Sequence, residues 1–303
     1  MLINIKYLVI TVISIFLALG IGILIGIQID SQDIILEQQE ITVQRMENKL
    51  DELNRINLDL QNELGELTTI NDINENYIKN VFPDYIKNKL LGLHIIILET
   101  TDEYTYASMR QALKTAGAQV TSVTIISDKI LNMSEGEIAQ LKEYFGIADN
   151  VNIVQVILKR IAETVGGKYE PDDIAFLIER GIIYVNGDLQ QPADYVVLTG
   201  GSSKEDNKHE IIDIPLIKEL KKLSLPLAGV ETTNVEISYI DIYKKQQLST
   251  VDNVDTAIGQ TSLILVIKGK EGHYGVKKSA QALMPYLNEE EISGEGNDTD
   301  TRF

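Results

Sequence analysis

The chain has 303 residues, room for about two domains at roughly 150 residues each. Its composition is 44% hydrophobic and 24% charged, a globular rather than a disordered balance. The 27 basic residues against 45 acidic ones leave a net charge of −18, which argues against a nucleic-acid partner because phosphate binding needs clustered Lys and Arg. Cysteine is absent, which excludes disulfides, thiolate catalysis, zinc fingers and iron–sulfur clusters.

From Tyr7 to Ile29 no charged residue occurs. A helix of that length, rising about 1.5 Å per residue, covers the roughly 30 Å hydrocarbon core of a bilayer. Residues 1–29 therefore read as a cytoplasmic stub and transmembrane anchor. Lys6 before the span, with Asp30 and Asp33 after it, places the amino terminus in the cytoplasm of a single-pass cell-membrane protein and the remaining chain outside. The competing reading is a signal peptide cut after Ala18 and Gly20; it would leave Ile21–Ile29 as an apolar mature terminus, and the run is long for a signal h-region. Ala18, Gly22 and Gly26 recur every fourth residue, the small-residue spacing that lets two membrane helices approach closely.

Beyond the membrane, residues 30–82 follow a heptad pattern. With Leu50 at position a, the a series is Leu36, Val43, Leu50, Asn57, Leu64, Asn71 and Ile78. The d series is Gln39, Met46, Leu53, Leu60, Leu67, Asn74 and Val81. Ten of these fourteen positions are apolar, which predicts a coiled-coil stalk. Asn57 at an a position is a register-fixing device of two-stranded parallel coils, so the first partner expected is a second copy, in a parallel homodimer through Leu50, Leu53, Asn57, Leu60 and Leu64. The alternative is a helix folded back on its own domain. Pro83 is expected to end the run.

Residues 88–287 alternate apolar runs with helical stretches, predicting an α/β domain built on an open, mainly parallel sheet. Strands are expected at Leu93–Leu98, Val120–Ile126, Tyr195–Thr199, Leu227–Val230 and Leu263–Ile267, each a nearly continuous apolar run. Helices are expected at Tyr104–Ala116, Ser134–Tyr144, Val151–Val165, Asp172–Arg180 and Ile211–Leu223. Residues 288–303, with Glu289, Glu290 and Glu291, read as an acidic disordered tail.

A resemblance adds to this reading. Ile3-Asn4-Ile5-Lys6-Tyr7 followed by Phe16-Leu17-Ala18-Leu19-Gly20-Ile21-Gly22 resembles the start of the MctB family, proteins named for mycobacterial copper transport across the outer membrane. The segment Ser249–Thr256 with Asp252, Asn253 and Asp255, then Gly259-Gln260 and Gly272-His273-Tyr274-Gly275, is similar to that family's second signature. Leu113–Ala118 is similar too, and Leu8 departs from the family's pattern, where a His follows the Tyr. The resemblance implies a single-pass envelope protein with a coiled stalk, an extracytoplasmic domain and a role in copper transport. Related actinobacterial members are read as partners of cell-separation machinery, so an envelope protein is the second partner expected.

The residues themselves give copper little to hold. Cu(I) prefers clustered Met or Cys and Cu(II) prefers imidazole with oxygen donors. Met46, Met109, Met133 and Met284 are scattered; His94 falls in a strand. The acidic loop around His209, with Asp206 and Glu210, and His273 in a Gly-rich turn are the metal candidates. No resident cofactor is expected, copper being the one group to consider. Catalysis is equally thin. The strand ends would carry Glu99, Thr100 and Asp102, then Gly200, Gly201 and Ser202, then Glu231, Thr232 and Thr233. Gly200–Ser202 could cradle an anion and Glu99 with Glu231 could form an acid–base pair, but solvated loops are the plainer reading, and no enzyme activity is expected.

Overall fold

A computed structural model describes residues 5–286, and the side chains of all of these except 28–37. The predicted tail after Asn288, the flanking Asp30 and Asp33 and the seam residue Leu36 therefore lie outside the described side chains. Two compact units divide the chain, one through Asn76 and the other from Tyr77 onward.

A single helix, α1 (Ile5–Ile86), makes up the described part of the first unit and enters the second. Its segment Ile5–Ile27 is long and apolar enough to cross a membrane. In the heptad region Leu50, Leu53, Leu60 and Leu64 are all exposed on the single chain, so the apolar stripe is unburied. The helix does not stop at Pro83. It runs through the proline to Ile86, and Lys87 N–H still donates to the Pro83 carbonyl at 3.1 Å. Packing explains the tolerance: Phe82, Tyr85 and the fully buried Ile86 join the core of the second unit, which offsets the hydrogen bond that Pro removes.

The second unit is an α/β sandwich. Its elements are β1 (His94–Glu99), α2 (Ala107–Thr115), β2 (Gln119–Ile126), α3 (Glu135–Tyr144), α4 (Ile153–Val165), α5 (Pro171–Glu179) and β3 (Ile183–Gly187). After them come β4 (Tyr195–Thr199), α6 (Ile214–Lys222), β5 (Leu227–Val230), α7 (Ile240–Lys245), β6 (Ser249–Val251), α8 (Ala257–Ile267) and β7 (His273–Tyr274). The described strands form one seven-stranded sheet in the order β3-β2-β1-β4-β5-β6-β7, parallel except for β3. Successive β1 side chains serve opposite cores: Ile96 and Leu98 face α3–α7, whereas Ile95 and Ile97 face α2, α8 and the end of α1. This two-sided burial is why β1 and β4 read as continuous apolar runs.

The segment Leu263–Ile267 is not a strand. It is the last half of α8, whose residues from Gly259 onward are all buried, so no polar face marks the helical period. Three strands escape the apolar-run criterion: β3, half exposed and antiparallel, and the short β6 and β7.

Candidate functional site

β1 and β4 run parallel, but the order in which strands are added changes direction between them, and in open parallel sheets ligands bind beyond the strand ends at such a switch point. Here the protein's own side chains fill that crevice. Thr100 Oγ1, after β1, lies 2.9 Å from both the Thr199 carbonyl and Asp213 Oδ1, which share its one proton. Tyr243 on α7 donates its hydroxyl to the same Asp213 oxygen, and Tyr106 donates to the Gly200 carbonyl at 3.1 Å. Asp213 is completely buried, with Oδ2 unpartnered; burial pushes its pKa up to about 6 against the opposing pull of Tyr243, Thr100 and Lys208. Burial likewise raises the hydroxyls of Tyr106 and Tyr243.

The strand-end loops are mostly buried, although Asp102 and Thr233 are exposed as solvated loop residues. Glu99, Thr100, Gly200, Ser202, Glu231 and Thr232 are all inaccessible, and the two glutamates do not pair. Glu99 accepts from Arg110 at 2.8 Å, and burial nonetheless raises its carboxyl. Glu231 accepts from Lys277 at 2.6 Å, from Ser238 at 2.7 Å and from the Tyr239 N–H. The anion cradle is filled as well: Gly200 N–H donates to Val230, Ser202 N–H donates to Ile237, and a Cβ on Gly200 would lie 1.8 Å from the Tyr243 hydroxyl. The sequence hides this network because Asp213 is one acid inside the apolar run Ile211–Ile214. That lone charge was the available signal, since a solitary acid among isoleucines must find partners in the core.

At the other end of the sheet, Asp252 joins β6 to β7. Its buried carboxylate accepts from Val276 N–H at 2.7 Å and from Lys277 N–H at 3.0 Å. Asp255 accepts from Thr233 N–H at 2.7 Å, and Asn253 is buried where a Cβ on Gly259 would lie 2.0 Å from its carbonyl oxygen. The side-chain cap of α8 is Thr256, with Oγ1 3.1 Å from the Gly259 N–H. Tyr274 donates to the Glu271 carbonyl at 3.1 Å, and Gly272 and Gly275 leave no room for a side chain beside Tyr274 and Asp252.

The family described as MctB, copper transport outer membrane protein, matches residues 2–285. The chain belongs to the MctB family. No curated protein matches the sequence. Within this MctB member, Asp252, Gly272, Tyr274 and Gly275 build the joint that ties β7 and the segment after it to the sheet, while Asn253 packs against Gly259 of α8 and Asp255 ties the same turn to Thr233 after β5.

The metal candidates take up separate tasks. Asp206 accepts from Tyr239 at 2.8 Å, from Lys208 N–H at 3.1 Å and from Ser202 at 3.0 Å; burial works to raise its carboxyl, but these bonds hold it below the usual carboxylate range. His209 packs its ring 5.0 Å from that of Tyr239, and its buried Nδ1 has no partner. Glu210 is exposed. His273 lies on the edge strand β7 with Nδ1 3.1 Å from Thr250 Oγ1, its pKa lowered by burial and by Lys244. Among the described residues no group of three or more His, Asp or Glu is arranged to hold a metal ion. In the first unit Gly22 and Gly26 leave open space where a Cβ would stand, and Asn57 Oδ1 accepts from Gln61 at 2.9 Å.

Proposed function

We propose that this MctB member is a membrane-anchored envelope protein that pairs in parallel with a second copy through its stalk and works by contact with an envelope partner. The observation that carries this reading is the apolar stripe of α1: Leu50, Leu53, Leu60 and Leu64 recur at seam spacing and are exposed on the single chain. A helix in water buries such a stripe against something, and two copies anchored in one membrane meet in parallel register. With Lys6 on the amino side of the span, the α/β domain lies outside the cytoplasm.

The α/β head serves as a non-catalytic module. Support comes from its switch-point crevice, filled by Thr100, Tyr106, Asp213 and Tyr243, and from Glu99 and Glu231, each neutralised by its own cation. The copper link of the family is then exercised through the partner, with copper as cargo rather than as a resident group of this chain. A deletion strain scored for copper tolerance and for cell separation tests this. Complementation by the wild-type chain but not by Leu50→Asp/Leu64→Asp is the expected result. Full complementation by that variant would remove the stalk from the mechanism. Protease added to spheroplasts should digest the head, and protection of the head would overturn its outward placement.

A further inference from the structure

Among the described residues no helix other than α2 lies on its side of β2 and β3. The β2–β3 connection runs through α3, α4 and α5, all packed on the opposite face, and β3 returns antiparallel. The consequence shows in β2 itself. Ser122, Thr124 and Ile126 are buried on one face, whereas Val123 and Ile125 on the other are half open. Across the antiparallel register Ile125 faces Tyr184 and Val123 faces Asn186, both exposed. These four side chains, with Val120, floor a cleft of about 520 Å³, inside the roughly 300–1,000 Å³ range of small-molecule sites.

Its wall is α2, which contributes Arg110 and Lys114, and Tyr104 and Tyr106 close the end beside Glu99. Glu99 is nearly inaccessible and accepts from Arg110 Nη1 at 2.8 Å, which anchors the guanidinium while the Arg110 side chain stays about one-third exposed. Arginine carries five N–H donors in a fixed fork, and no other protein acceptor among the described residues engages this one. Lys114, one helical turn along, is exposed and has no ion-pair partner among the described residues. Asp102 also reaches the rim and is exposed like Lys114, so water and salt screen both charges alike.

We propose that this cleft binds a small monocarboxylic acid with a compact apolar body, the carboxylate meeting Arg110 and Lys114 and the body lying on Val123, Ile125 and Tyr184. Hydrogen-bond donors rather than net charge select the carboxylate: Glu99 and Asp102 balance the two cations, but Glu99 engages one Arg110 nitrogen and leaves the other guanidinium N–H groups and the Lys114 ammonium to meet it. The site runs along the open face of β2 from Val120 to Ile125 and reaches the carboxyl end of β1 at Glu99, and it stands independently of the stalk pairing.

The test uses the full chain in nanodiscs with 13C-labelled Ile and Val methyls, titrated with 4-fluorophenylacetate and with the neutral 2-(4-fluorophenyl)ethanol. The acid should shift the Val123 and Ile125 methyls at concentrations at least about tenfold lower than the alcohol, as one charge-assisted contact predicts. Lys114→Gln, at an exposed position that leaves the fold intact, should weaken the acid roughly fivefold and leave the alcohol unchanged. Arg110→Lys should weaken it further by losing the fork. Equal shifts with acid and alcohol, or acid binding unaffected by both variants, would overturn the proposal.

Discussion

Gly275 stands against Asp252 so closely that a Cβ added to the glycine would lie 2.0 Å from the carboxylate oxygen. The glycine also holds φ at +138°, a conformation that residues with a Cβ seldom adopt. Gly275→Ala therefore meets both strain and a clash. Asp252→Ala removes the acceptor of the Val276 and Lys277 N–H groups and should cost about 3 kcal/mol, since hydrogen bonds to a charged group are worth about 1.5–3 kcal/mol each. The double variant should cost less than the two singles together, because the carboxylate that clashes is gone. Urea unfolding of the four proteins checks this, and strict additivity would show that the two residues do not act as one joint.

Asp213 makes stability depend on pH in the direction opposite to a salt-bridged acid. Its folded pKa of about 6 lies above the ordinary value of 3.8. The folded state thus holds the proton more tightly, so the contribution is fully present below about pH 4 and is lost as pH rises through 6. A shift of that size corresponds to on the order of 3 kcal/mol across the window. Asp213→Asn keeps an oxygen for Thr100 and Tyr243 and cannot ionise, so its unfolding free energy should be flatter between pH 4 and 7. A slope equal to that of wild type would assign the effect to another group.

Lys277 reaches Glu231 at 2.6 Å, and Glu231 is fully buried. Lys277→Met leaves that carboxylate with Ser238 and the Tyr239 N–H alone and should lower stability by about 3–5 kcal/mol, the cost of stranding one member of a buried pair. Adding Glu231→Gln should restore much of it, because the amide carries no charge to strand. Thermal melting of the single and double variants decides. A double variant no better than Lys277→Met would mean that the lysine acts by packing.

What the sequence displayed depended on how each segment is buried. The run at β1 was legible because both its faces are covered, and alternation never interrupts it. The same continuity misled at Leu263–Ile267, since a helix buried all round looks like a strand buried on both sides. Pro83 marks a helix end only where packing does not intervene, and Phe82, Tyr85 and Ile86 intervene. Glu99 and Glu231 looked like solvent-loop residues because their partners are Arg110 and Lys277, and the task of Asp252 was hidden because its partner is Val276. The last two lie far along the chain, and no local spacing exposes such pairs. The family signature around Asp252 was visible in the residues, whereas its structural task became visible only with the β6–β7 geometry.

The stalk offers the most direct experiment, because the chain has no cysteine of its own. Leu60 sits at a d position and is exposed on the single chain. In a parallel pair the two Leu60 side chains meet across the seam, so Leu60→Cys should give a symmetric disulfide-linked dimer in membranes under mild oxidation. A cysteine at Gly65, on the same helix but off the seam, should cross-link far less. Adding Leu50→Asp and Leu64→Asp should abolish the Leu60 product, since charges desolvated in the seam cost several kcal/mol, comparable with the whole stability of a small assembly. Asn57→Leu should instead raise thermal stability while relaxing the oligomer size seen by sedimentation, because the buried amide selects two strands at a cost in stability. Equal cross-linking at positions 60 and 65, or a chain that stays monomeric in membranes, would rule out the parallel pair.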